Sequence, residues 1–225
     1  MAQSLLRMSK AISNEQATLN RALHESDDSF GSRPDAGGLT SNLVPAINLM
    51  AKLGICSSFL DYGTGKGRLV KHLRSKLPDN ILVNGYDPAV DRWLEKPNHS
   101  SDILTCLDVL EHVEPESIDA VLSDIKALTS NFCFLIIDLQ PAIKSLSDGR
   151  NAHVLLAPCD WWISRISQHF SSVAAFPLLH TIGAPQKLVV AASTNPAISP
   201  YMYSFLSKMN LFKVQMSGGL LKGKS

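Results

Sequence analysis

The stretch Leu60-Asp61-Tyr62-Gly63-Thr64-Gly65-Lys66-Gly67 constrains this chain more than any other. Residues 56–62 are a short, mostly apolar run of strand length. Beyond the glycines, Leu69, Leu73 and Leu77 recur every four residues and Val70 widens the stripe, the spacing of an amphipathic helix. The order is therefore strand, glycine turn, helix. Glycines at 63, 65 and 67 let the backbone turn sharply and come close to a ligand, while the new helix offers unpaired N–H groups and the positive end of its dipole. Such a corner suits an anionic or polar ligand.

The rest of the chain repeats the strand–helix alternation. Residues 41–53 place Leu43, Ile47 and Met50 at helical spacing, with Gly54 where a helix C-cap belongs. Residues 81–86 read as a second strand ending at Asp87-Pro88. Residues 103–107 are an apolar strand running into Asp108-Val109-Leu110-Glu111-His112-Val113. A helix follows Pro115, lined by Ile118, Val121, Leu122, Ile125 and Leu128. Residues 131–139 are strongly β-like and predict a central buried strand. A short helix carries Trp162, Ile163, Ile166 and Phe170, and strands near 172–176 and 187–192 form a hairpin around Gly183-Ala184-Pro185. Alternation of this kind predicts an α/β fold, a doubly wound and mostly parallel sheet with its ligand at the carboxyl ends of the first strands. The expected organisation is an N-terminal arm over residues 1–40, partly helical and loosely attached, a domain over 41–193, and a C-terminal appended tail over 194–225.

Composition narrows the class. At 225 residues, 45% hydrophobic and 18% charged, the chain has the make-up of one soluble globular domain, and its net charge of +1 argues against a large non-specific nucleic-acid surface. The local run Lys66, Arg68, Lys71, His72, Arg74, Lys76 keeps nucleic acid among the partners, although the solvated face of a helix is the preferred reading of it. Cys56, Cys106, Cys133 and Cys159 are widely separated, with neither a zinc spacing nor a disulfide framework, and read as reduced structural residues. The N-terminus lacks an apolar core of signal-peptide length, and no apolar run reaches about 18 residues. The expected location is cytoplasmic, with no membrane partner.

The spacing of the turn separates two ligand classes. Dinucleotide folds use G-x-G-x-x-G, whereas here Asp61 precedes Gly63-x-Gly65-x-Gly67, and the Lys-Ser/Thr pair of a P-loop is missing. The pattern resembles the first motif of class I S-adenosylmethionine-dependent methyltransferases. Three further features fall in that family's order: Asp87 after the second strand, the D-V-L-E-H-V hexapeptide at 108–113, and a final strand pair. The likeness covers roughly residues 41–193, and Asp148-Gly-Arg-Asn-Ala-His153 with Trp161-Trp162 is similar to small bacterial and bacteriophage members. It implies a single Rossmann-like sheet of about seven strands with an antiparallel final strand, and S-adenosylmethionine as cofactor. It further implies that Asp61, Gly63, Thr64, Gly65 and Gly67 hold the methionine end, that Asp87 binds the ribose, and that Asp108 borders the methyl-transfer cleft. An Asp before Pro is also an ordinary turn residue. The adenine contact has no assignment, because residues 88–101 are compressed; Trp93 and Asp102 are the candidates.

The reaction expected is methyl transfer to a hydroxyl, amine or carboxyl of an unidentified small-molecule or macromolecular acceptor. The alternatives are a non-catalytic S-adenosylmethionine-binding or interaction module, and a nucleotide-sugar or NAD enzyme. A sulfonium donor needs mainly alignment and exclusion of water, and a base only where the acceptor stays protonated. His112 and His153 are the candidate catalytic bases, against packing or capping roles for each. Asp108, Glu111, His112 and His153 are also similar to the metal-binding arrangement of small-RNA 3′-terminal 2′-O-methyltransferases. Glu111, His112 and His153 would then hold a divalent ion, although the reading without a metal is preferred at this level. Trp161 and Trp162 read as core rather than as a stacking platform.

Overall fold

A computed structural model describes residues 12–32, 40–181 and 184–211. Its centre is β1 (Ser58–Tyr62), joined through the glycine turn to α3 (Arg68–Lys76). Before it come α1 (Asn14–Ser26) and α2 (Leu43–Lys52). After it come β2 (Leu82–Tyr86), β3 (Ser101–Leu107), α4 (Ile118–Ala127), β4 (Thr129–Asp138), α5 (Cys159–Ser167), β5 (Ser172–Thr181), β6 (Ala184–Ser193) and α6 (Ser199–Met209). Among the described residues the sheet has six strands, in the order β2-β1-β3-β4-β6-β5. The first four are parallel, and β6 is antiparallel to both β4 and β5.

Alternation along each strand sends one set of side chains to each face. Phe59, Ile103, Phe132 and Phe134 pack with α2, α3 and α6, whereas Leu60, Leu104, Cys133 and Leu135 pack with α4 and α5. Trp162 lies fully buried in the second layer, with the Trp161 ring edge-on at 5.0 Å, so this pair is core as the sequence predicts. Trp162→Ala is expected to cost about 3–5 kcal/mol through lost transfer energy and a residual cavity, read as a lower urea midpoint at unchanged slope.

The sheet differs from the seven strands expected. Between Asp87 and Ser101 the chain makes one 3-10 turn, Asp91–Trp93, and no strand. A crossover to a parallel neighbour takes a dozen or more residues, so this segment is too short to add an outer strand, and β2 stays at the edge. There the Arg74 guanidinium donates to the Val83 carbonyl from Nε at 2.9 Å and from its terminal nitrogen at 2.7 Å.

Three further points depart from the sequence reading. Residues 199–209, read as part of a thinly patterned tail, form α6, whose Met202, Phe205 and Met209 are buried against the sheet. Residues 12–32 of the arm dock on the domain, and α1 carries a capping signal, Ser13-x-x-Gln16, with the Ser13 hydroxyl accepting from the Gln16 N–H at 3.0 Å. Cys56 precedes β1 instead of lying in it, and it is buried like Cys106 and Cys133. Of the predicted turn residues Gly183-Ala184-Pro185, Gly183 lies outside the described residues and the other two open β6; the tail beyond 211 also lies outside them. Among the described residues no helix is long and apolar enough to cross a membrane.

Candidate active site

The glycine turn is held from the end of β2. The N–H groups of Gly63 and Thr64 both donate to the Tyr86 carbonyl, at 2.8 and 3.1 Å. One Asp87 oxygen accepts from Gly65 N–H at 2.8 Å and the other from Ala89 N–H at 2.9 Å. Gly63 and Gly65 have φ of +74° and +55°, and a Cβ on either would sit 2.5 Å from its neighbour: Val109 Cγ2 for Gly63, the Gly31 carbonyl oxygen for Gly65. No other residue fits either position.

A cavity of about 590 Å³ opens above this turn, within the usual ~300–1,000 Å³ of ligand sites. Gly63, Thr64, Gly65 and Asp87 form its floor, and Asp108, His112 and His153 form its far wall. Asp61 and Gly67 are not among the lining residues. Asp61 is 3% exposed beneath the turn, where it accepts from the Thr105 hydroxyl at 2.8 Å and so ties β1 to β3. Gly67 is the N-cap of α3 and packs under the Trp93 ring. These two residues shape the corner from behind. Neither adenine candidate reaches the cavity. Asp102 sits at the opposite end of the sheet, accepting from Ser57 N–H at 2.7 Å and Ser58 N–H at 3.0 Å, and Trp93 is occupied with Gly67 and Arg92.

The far wall is charged and ordered. Asp108 takes the left-handed φ of +53° that Asp tolerates better than most residues, and its carboxylate accepts from Lys187 Nζ at 2.7 Å. The same ammonium donates to Asp138 at 2.9 Å. Burial alone would lower the Lys187 pKa, but Asp108 and Asp138 more than offset it and hold the ammonium above its ordinary value. Glu111 is fully buried: Oε1 accepts from Asp138 N–H at 3.1 Å, while Oε2 is buried with no hydrogen-bond partner. Burial, and then the charge of Asp108, push its carboxyl well above the usual range.

His112 Nδ1 lies 2.7 Å from the Ala152 carbonyl, and His153 Nδ1 lies 2.5 Å from the Gln140 carbonyl. A carbonyl only accepts, so both Nδ1 atoms carry hydrogen, and each neutral ring keeps its lone pair on Nε2. The two rings meet edge to face at 4.8 Å. Burial, then the neighbouring His153, bring His112 down to about 4, so at neutral pH it is an uncharged donor of electrons and a poor reservoir for a proton. One ligand atom from each of Glu111, His112 and His153 falls within 4.8 Å of the others. Of the four residues grouped in sequence, Asp108 is the one left outside this set, being paired to Lys187.

Residues 7–179 match the family described as a methyltransferase domain. The chain belongs to that family. S-adenosylmethionine is the methyl donor that the turn motif at Asp61 to Gly67 leads one to expect. Two solved structures share the methyltransferase fold. One is magnesium protoporphyrin IX methyltransferase from Synechocystis PCC 6803 with bound S-adenosylmethionine: TM-score 0.52, 16% identity, 79% of this chain and 97% of that one. The other is the 1,6-didemethyltoxoflavin N1-methyltransferase of Burkholderia thailandensis with 1,6-didemethyltoxoflavin and S-adenosylhomocysteine: TM-score 0.50, 18% identity, 80% and 90%. At these identities the likeness carries the fold alone. No curated protein matches the chain in sequence.

The residues of the methyltransferase turn fit such a donor. Its glycines leave space that any Cβ would fill, and Thr64 presents a buried hydroxyl with no partner. A carboxylate has about four acceptor positions, so Asp87 retains capacity for ribose hydroxyls after its two backbone contacts. Sequence reasoning missed Lys187 and the whole contribution of the arm: Asn20, His24, Phe30 and Gly31 roof the cavity. The capping box was the one local sign of α1, and nothing in the pattern tells where that helix docks.

Proposed function

We propose that the protein methylates a hydroxyl group, and that a divalent cation held by Glu111, His112 and His153 binds the acceptor next to the methyl donor. One observation supports this above the rest: both imidazoles spend their Nδ1–H on backbone carbonyls, leaving two Nε2 lone pairs together with a buried Glu111 oxygen that has no partner. Donation of the second ring N–H to a carbonyl is the usual way a metal-ligating His is oriented. One carboxylate and two neutral imidazoles suit zinc, manganese or iron(II) better than calcium. A bound cation would grip the acceptor oxygen and lower the pKa of its hydroxyl.

The chain's own groups do the remainder. Asp87 and the turn would hold the nucleoside of S-adenosylmethionine, which would supply the methyl group. Lys187 pairs with Asp108 and Asp138, which limits the repulsion that these two carboxylates would otherwise impose on Glu111. The arm covers the cavity and excludes water, which protects a reaction whose chief demand is in-line alignment. Bound S-adenosylmethionine would give its methyl group to the acceptor oxygen and leave as the neutral thioether, the hydroxyl proton having passed to solvent when the acceptor bound.

Calorimetric titration tests the two halves separately. S-adenosylhomocysteine is expected to bind the full chain at micromolar concentration, and manganese alone to bind with about one site per chain. Absence of nucleotide binding at millimolar ligand overturns the enzyme reading. Absence of manganese binding, with S-adenosylhomocysteine still bound, overturns the cation alone.

A further inference from the structure

The N-terminal arm lies over the cavity at the carboxyl end of the sheet. Four elements of the site hold it there. The Gly31 carbonyl accepts from Lys66 N–H in the glycine turn at 3.0 Å, and Lys66 Nζ donates to the Asp27 carbonyl at 3.0 Å. Arg21 pairs with Asp91 in the 3-10 turn after β2. The Gln16 amide donates to the His112 carbonyl at 3.3 Å, and Lys144 pairs with Asp27 at 2.5 Å. The family match begins at residue 7 and so takes in this arm.

Within the arm His24 stands out. Its ring lines the cavity, packs on Phe30 at 4.6 Å between centroids, and lies near enough to Asp87 to feel its charge. Its Nδ1 is buried without a well-formed hydrogen bond, although the ring interacts with the Phe30 backbone. A buried polar atom without a well-formed hydrogen bond costs on the order of 1–3 kcal/mol, so keeping one beside a ligand-sized space points to a ligand that satisfies it.

We propose that the N-terminal arm belongs to the methyl-donor site and that His24 hydrogen-bonds the nucleoside of S-adenosylmethionine beside Asp87. The inference rests on S-adenosylmethionine being the donor, and it makes the arm one wall of the donor site. The ring has the chemistry for it. A neutral imidazole offers one donor and one acceptor, matching a ribose hydroxyl or an adenine ring nitrogen.

Titration of the full-length protein and its variants, each also melted without ligand, tests the idea. His24→Leu is expected to bind S-adenosylhomocysteine at least 10-fold more weakly, while its ligand-free melting temperature stays level or rises, because a poorly satisfied polar atom has been removed. His24→Gln, which keeps polar atoms, is expected to recover to within about 3-fold of wild type. 5′-Methylthioadenosine has the nucleoside without the amino acid, and His24→Leu should lose affinity for it by the same factor. Should His24→Leu bind S-adenosylhomocysteine as wild type does, the proposal is overturned while the donor assignment stands. A loss for S-adenosylhomocysteine without one for 5′-methylthioadenosine overturns the nucleoside contact. If the wild type binds neither compound, the donor assignment fails first and the proposal with it.

Discussion

Glu111→Gln is expected to abolish manganese binding and to lower cation-stimulated methyl transfer by about 100-fold or more, while leaving the ligand-free fold intact. The substituted amide oxygen still accepts from Asp138 N–H, and the amide nitrogen occupies the position of an oxygen that has no partner now. The sign of the stability change follows from the raised pKa of Glu111. Below the unfolded-state pKa of about 4.5 both states hold the proton, and the residue contributes no pH-dependent cost. As pH rises above that value the unfolded state releases the proton first, so wild-type stability falls toward the folded pKa. Glutamine never ionises and escapes that loss. The variant should therefore match wild type near pH 4 and equal or exceed it at pH 7 in urea titrations, a pattern opposite to that of a residue retained for stability. Manganese affinity unchanged in this variant would remove Glu111 from the ligand set.

Gly65→Ala is expected to weaken S-adenosylhomocysteine by more than about 10-fold and to destabilise the protein. A left-handed conformation costs an L-residue about 1–2 kcal/mol, and the new methyl meets backbone, lying 2.5 Å from the Gly31 oxygen and 2.8 Å from its Cα. Backbone cannot step aside as a side-chain tip can. The arm must lift, the Lys66 N–H to Gly31 bond breaks, and the roof over the cavity opens. Gly149→Ala serves as the control. Its φ is +88°, yet nothing lies within 4 Å of an added Cβ, so it incurs the conformational cost alone, on the order of 1 kcal/mol. If both variants lost the same stability and Gly65→Ala kept its affinity, the packing of the arm on the turn would not matter to binding.

Legibility in the sequence follows how local each feature is. The helical stripe Leu69, Val70, Leu73 is buried as its spacing predicts, and the β-like run through Phe132 and Ile137 is the central strand β4. Both patterns are set by neighbours a few residues apart, so periodicity reveals them. Asp87 was legible for the same reason, as an acid ending a strand one unit after a glycine turn. The outer strand was expected from the family pattern, and its absence follows from a chain too short to make the crossover. Ser199–Met209 has only a weak apolar pattern and is fixed by contact with α2 and the sheet, which no window of sequence contains.

The sequence by itself determined the strand, glycine turn and helix from Asp61 to Gly67 and the acid that follows β2, and with them the expectation of S-adenosylmethionine as donor. These depend on backbone freedom and residue spacing, which are properties of short segments. Only the tertiary structure decided that Asp61 works from beneath the turn and that Asp108 is taken by Lys187. It also decided that His112 and His153 meet with their Nδ1 atoms tied to carbonyls, and that His24 from the arm lines the same cavity as Asp87. Those meetings depend on crossovers that bring distant segments to one end of the sheet, and a local pattern carries no record of which segments will face each other.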